Sequence, residues 1–130
     1  MERHIAAISL LVRDYDEAIA YYTQKLGFVL LEDTPLDGGK RWVRVAPRGA
    51  AETSLLLAKA ANDRQSAQVG DQMGGRVGFF LHTDDFRRDH AAMSAQGVNF
   101  VEAPREEIYG TVIVFEDLYG NRWDMIEPKR

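Results

Sequence analysis

The chain has 130 residues, 45% hydrophobic and 28% charged, which suits one globular domain with a single core. Sixteen Lys and Arg against twenty Asp and Glu give a net charge of −4, with no basic run to follow a phosphate backbone, so no nucleic-acid partner is expected. The absence of cysteine removes disulfides, thiol nucleophiles, iron–sulfur clusters and cysteine zinc sites, leaving His4, His82, His90 and carboxylates as the stock for any metal site.

In chain order, an apolar stretch at 5–12 is ended by Arg13 and Asp14 and reads as a strand. Eight residues are too few for a membrane span or a secretory core, so the expectation is a cytoplasmic protein with no membrane partner. Tyr15, Ala18, Ile19, Tyr22 and Leu26 then recur at helical spacing after a cap at Asp14 or Asp16, and Gly27 supplies the stop. Strands are predicted at 28–32, 40–46 and 53–58, with a glycine-rich turn at 35–39 joining the first two. The polar, aperiodic segment 62–75 (NDRQSAQVGDQMGG) reads as a linker with the composition of a flap.

The order then repeats. A strand at 77–81 leads to a helix after Asp84 whose thinner stripe is Phe86, His90 and Met93, stopped by Gly97; strands follow at 99–103, 111–116 and 122–126, the last two joined by a turn at 117–121. Asp14 to Gly27 and Asp84 to Gly97 are both thirteen residues apart, so the halves superpose at an offset of seventy. The fold class is therefore α+β: two tandem βαβββ modules in one domain, module one at about 1–61, the linker at about 62–75 and module two at about 76–130.

This duplicated unit, with the helix segment 14–28 (DYDEAIAYYTQKLGF) and the closing segment 114–127 (VFEDLYGNRWDMIE), resembles the vicinal oxygen chelate superfamily, which includes glyoxalase I, bleomycin resistance proteins, fosfomycin resistance enzymes and extradiol dioxygenases. The resemblance covers essentially the whole chain and implies curved mixed sheets around a cup. In the family's metal-dependent members the first and last strands of each half supply four ligands to a divalent cation such as Ni, Zn, Mn or Fe. Carried onto this sequence, those positions fall on Ala7, Leu56, Arg76 and Asp124, of which Asp124 alone is a ligand-forming residue. No metal or other cofactor is therefore expected, and a divalent metal returns only if a strand register differs.

On this placement Arg76 and Asp124 face one another, either as a structural ion pair or as a site where Arg76 receives an anionic ligand group steadied by Asp124. Ala7 and Leu56 would form an apolar wall, Ser9 shares the face of Ala7 and Phe80 that of Arg76, and Trp42, Tyr109 and Trp123 are further candidate ligand contacts whose face the sequence leaves open. His90 reads as a partly buried residue behind the sheet, and Glu106 and Glu107 as a solvated loop. Two functions stay open. One is a binding protein of the bleomycin-resistance type that holds a small organic ligand, as a homodimer. The other is an enzyme, a metal-dependent lyase, isomerase or ring-cleaving dioxygenase, or a metal-free member using Asp124 or His82 for proton transfer.

Overall fold

The structure is a computed structural model that describes residues 2–50 and 52–130. It contains two compact units, Met1–Val69 and Gly70–Arg130, dividing inside the segment read as a linker. Each unit carries a mixed sheet with a helix packed on one face.

In the first unit, β1 (Ala7–Val12) is followed by α1 (Tyr15–Ala20), β2 (Val29–Pro35), β3 (Arg41–Ala46), β4 (Ser54–Lys59) and a short α2 (Asp63–Ser66). The sheet runs β1-β4-β3-β2, with β1 and β4 parallel and the other pairs antiparallel. The Asp14 backbone is extended and its carboxylate accepts the Glu17 N–H, which makes Asp14 and not Asp16 the cap of α1. Beyond Ala20 the helix widens into a π turn over Tyr21–Lys25 before Gly27 ends it at φ 72°. Ala18 and Tyr22 are fully buried, as are Leu10, Val12, Val43, Val45 and Leu57, whose alternation sends them to one face of the sheet. Burying each of the larger side chains is worth roughly 1.5–3 kcal/mol, and the helix stripe and strand alternation supply them together.

Arg41 ties this unit together. Its guanidinium donates to both carboxylate oxygens of Asp33 and to Asp16, and it lies 5.1 Å from the centre of the Tyr15 ring, while its backbone N–H donates to the Tyr15 hydroxyl.

The second unit has β5 (Val77–His82), α3 (Phe86–Ala95), β6 (Asn99–Phe100), β7 (Arg105–Glu107), β8 (Gly110–Glu116) and β9 (Arg122–Pro128). The sheet runs β5-β9-β8-β6, with β7 also pairing β8. Its helix-side core is a run of rings. Phe79 stacks on Trp123 at 4.8 Å, Trp123 on Phe115 at 5.8 Å, and Phe100 and His90 continue edge-on toward Phe86 of α3.

The structure departs from the sequence pattern at several places. The second helix is capped by Asp85, whose carboxylate accepts the Arg88 N–H, and not by Asp84. From cap to glycine the second helix is thus one residue shorter than the first, and the π turn over Tyr21–Lys25 takes up the difference. Counted from the caps, the halves are offset by 71, so Ser9 corresponds to Phe80 and Ala7 to Gly78.

The strand expected at 99–103 pairs as β6 only over Asn99–Phe100. At Glu102 the side chain takes over, its Oε1 accepting the Val114 N–H at 3.0 Å, and Pro104 has no N–H to extend the ladder. Glu106 and Glu107, read as loop, lie instead in β7, where the Glu106 carboxylate accepts the Thr111 hydroxyl.

The segment 62–75 is folded rather than featureless. Asn62 caps α2 by accepting the Gln65 N–H, and hydrogen-bonded turns follow. Gly70, at φ 78°, packs so closely on the Tyr119 carbonyl that no side chain fits there. Tyr119 belongs to the 117–121 turn, where the buried Asp117 carboxylate accepts the backbone N–H groups of Tyr119 and Asn121 and the Asn121 amide.

Candidate functional site

Each sheet has a face turned away from its helix, and register decides which side chains share it. In the first unit Ser9 pairs Leu56, Leu56 pairs Arg44, and Arg44 pairs Glu32, so these four form one row across β1, β4, β3 and β2. Arg44 Nε donates to Glu32 Oε1 at 3.0 Å, and Nη1 donates to the Ser54 hydroxyl at 3.2 Å. Ala7 pairs Ser54 in the next row, and Trp42, two residues from Arg44, lies on the same face with 41% of its surface exposed. Ala7, Ser9 and Leu56 therefore share this face with Trp42, whose face the sequence left open. The charged pair at the centre of this face, Arg44 and Glu32, was missed. The alternation Trp42-Val43-Arg44-Val45 carried the signal, because buried valines on one side place Trp42 and Arg44 on the other.

In the second unit Phe80 pairs Asp124 and Asp124 pairs Val114, again on the face away from the helix. Trp123 points the opposite way, 4% exposed in the ring stack, so it is part of the core and not of this face. Arg76 does not face Asp124. It precedes β5 in the turn that starts at Met73, the β5–β9 pairing is irregular between Val77 and Phe79, and no ion pair joins Arg76 to Asp124 among the described residues. The physical reason is that Arg76 lies outside β5, whose pairing starts at Val77 with Arg122, so that Phe80 stands beside Asp124. Arg76 instead borders a crevice with Gly70, Met73, Phe79 and Arg122. His82 ends β5 on the side of Phe80, and Tyr109 is half exposed just before β8.

Asp124 is 7% exposed, and its Oδ1 is buried with no hydrogen-bond partner among the described residues. Burial pushes its carboxyl above the usual carboxylate range, the Arg105 charge opposes this and Glu102 reinforces it. Arg105 is itself engaged by Glu102 at 3.1 Å and Glu107 at 3.2 Å.

Of the four residues that the sequence assigned to the family's metal site, Ala7 and Leu56 carry no ligand atom, Arg76 lies outside β5, and the strand neighbour of Asp124 on β5 is a phenylalanine. Among the described residues no three His, Asp or Glu side chains converge as a cation would need. This donor set does not fit the four-ligand centre. No helix among the described residues is long and apolar enough to cross a membrane.

A family model described as the Glyoxalase/Bleomycin resistance protein/Dioxygenase superfamily matches residues 4–125. A protein of Shewanella frigidimarina (strain NCIMB 400) is 52% identical over 128 residues, 98% of this chain and 95% of that protein. The crystal structure of UcmS2 is 30% identical, covers 98% of this chain and 99% of its own, and superposes with a TM-score of 0.84. TnmS3, described as an antibiotic binding protein from Streptomyces sp. CB03234, is 32% identical with a TM-score of 0.79 over 98% of both chains. Two mixed sheets, two capped helices at matching places in the repeat and a family match over nearly its full length establish that the chain belongs to the glyoxalase/bleomycin resistance protein/dioxygenase superfamily.

Proposed function

We propose that this chain binds a small organic ligand, of the kind an antibiotic binding protein takes, without the catalytic metal of the superfamily's enzymes. The observation that carries the reading is the row Ser9, Leu56, Arg44 and Glu32, flanked by the exposed Trp42 ring. Where the enzymes need metal donors at Ala7 and Leu56, this face offers small and apolar side chains, an aromatic ring and one oriented guanidinium. That set suits a flat organic molecule with a polar edge: Trp42 and Leu56 would cover its rings and Arg44, steadied by Glu32, would meet an oxygen. Similarity to TnmS3 over 98% of the chain supports the same class of ligand. We also place the protein in the cytoplasm as a homodimer, a state that light scattering on the purified chain will check.

The test joins metal analysis to a thermal-shift screen with aromatic and glycopeptide antibiotics. Protein purified without chelator should hold no stoichiometric Ni, Zn, Mn or Fe. A binding compound at about a hundred times its Kd adds roughly 2.7 kcal/mol, a shift of several degrees. That shift should disappear in Trp42→Ala and shrink in Arg44→Ala. Stoichiometric metal together with turnover of a hemithioacetal or a catechol would overturn the proposal in favour of the enzyme reading, with Asp124 and His82 then the residues to examine.

A further inference from the structure

Asp124 is the one side-chain carboxylate in the second unit that combines burial with an unused acceptor atom. Leaving a buried acceptor without a donor is costly, more so for a charged group, so a native fold keeps one where something supplies the donor. The neighbours on the same face do not. Across the sheet they are Phe80 and Val114, and along β9 they are Ile126 and Arg122, the last directed to Glu116 at 3.5 Å. Arg105, the nearby cation, is held by Glu102 and Glu107.

Beside this acid the face is apolar and partly open. Phe80 is 63% exposed, and Val101, whose N–H donates to the Val114 carbonyl, is also exposed. Resting on the ligand-binding reading above, we propose that Asp124 Oδ1 and the Phe80 ring form a recognition point for an aromatic ligand bearing a hydroxyl or amino hydrogen-bond donor. The donor satisfies Oδ1 while the ring lies against Phe80. An anionic ligand group, the class expected had Arg76 faced inward, meets Asp124 and Glu102 here and is rejected.

Three probes that share a naphthalene ring test this by amide NMR titration: 2-naphthol carries a donor, 2-methoxynaphthalene has none, and 2-naphthoate is an anion. Wild-type protein should bind 2-naphthol at least about tenfold more tightly than either of the others, with the largest shifts at the amides of Phe80, Val114 and Asp124. In Asp124→Leu, which puts an apolar side chain of similar size among Val114 and Ile126, the preference for 2-naphthol over 2-methoxynaphthalene should vanish while both still bind; the same spectra report whether the variant is folded. Equal affinities in the wild type, shifts centred elsewhere, or a preference that survives in Asp124→Leu would overturn the donor proposal and leave ligand binding standing. Failure of all three probes to bind the wild type would overturn the proposal together with the aromatic-ligand reading beneath it.

Discussion

Phe80 and Asp124 are direct neighbours on the parallel strands β5 and β9, yet Phe80 is 63% exposed and Asp124 7%. This inverts the usual ranking of hydrophobic inside and charged outside. A fold that leaves a phenyl ring in the open and encloses an acid with an unused oxygen carries a local cost in stability, and that cost can be measured.

Asp124→Asn is expected to stabilise the protein, and more so at neutral than at acid pH. Burial raises the Asp124 carboxyl above its ordinary value of 3.8, so folding disfavours the ionised form. The contribution of Asp124 to stability is then fully present below 3.8 and lost as pH rises through the folded-state value. Asn does not titrate and escapes that loss. Urea unfolding at pH 4 and pH 7 should show the gain over wild type growing to about 1–2 kcal/mol at the higher pH. A gain that does not change with pH would mean that ionisation of Asp124 is not penalised.

The two tryptophans should separate cleanly by fluorescence. Trp42 is exposed on the open face of the first sheet, and Trp123 is enclosed between Phe79 and Phe115. Acrylamide should quench strongly in Trp123→Phe, where Trp42 is the emitter, and weakly in Trp42→Phe. Trp42→Ala should leave stability within about 0.5 kcal/mol of wild type. Trp123→Ala should cost about 3 kcal/mol or more, because it opens a cavity in the ring stack.

Periodic features were legible in the sequence and register was not. Tyr15, Ala18 and Tyr22 repeat at helical spacing, and Val43 and Val45 at strand spacing, because burial selects them. Their elements stand where pattern placed them. The offset between the halves depended on choosing between Asp84 and Asp85, two adjacent residues equally able to cap, and on a π turn that adds one residue without altering the apolar stripe enough to betray it. Nothing in the residue pattern marks where the β5–β9 ladder starts or its irregularity between Val77 and Phe79, and these put Phe80, four residues beyond Arg76, beside Asp124. Strand β7 was hidden for another reason. Arg105-Glu106-Glu107 has no strand propensity, and the segment pairs because β8 offers an edge beyond the point where β6 leaves it.

The cap assignment has its own test. Asp85→Ala removes the acceptor for the Arg88 N–H and should cost about 1 kcal/mol. Asp84 sits one residue earlier and meets the exposed Arg88 side chain, so Asp84→Ala should remain near wild-type stability. The opposite ranking would move the cap to Asp84 and restore the offset of seventy.

Arg41 supplies the opposite electrostatic case to Asp124. Its hydrogen bonds hold the Asp33 carboxyl below the ordinary value of 3.8 against the opposing effect of burial. With a lowered folded-state value, the contribution of Asp33 to stability is present above 3.8 and lost as pH falls through the folded-state value. Arg41→Ala should therefore return Asp33 to the ordinary carboxylate range in a carbon-detected NMR titration. The same variant should flatten the loss of stability below pH 4. Because the pair lies near the surface, added salt should weaken the wild type's advantage. If Asp33 titrates unchanged in Arg41→Ala, its low value has another source, and the tie from β3 to β2 and α1 is one of packing, through the Arg41 stem and the Tyr15 ring, and not of charge.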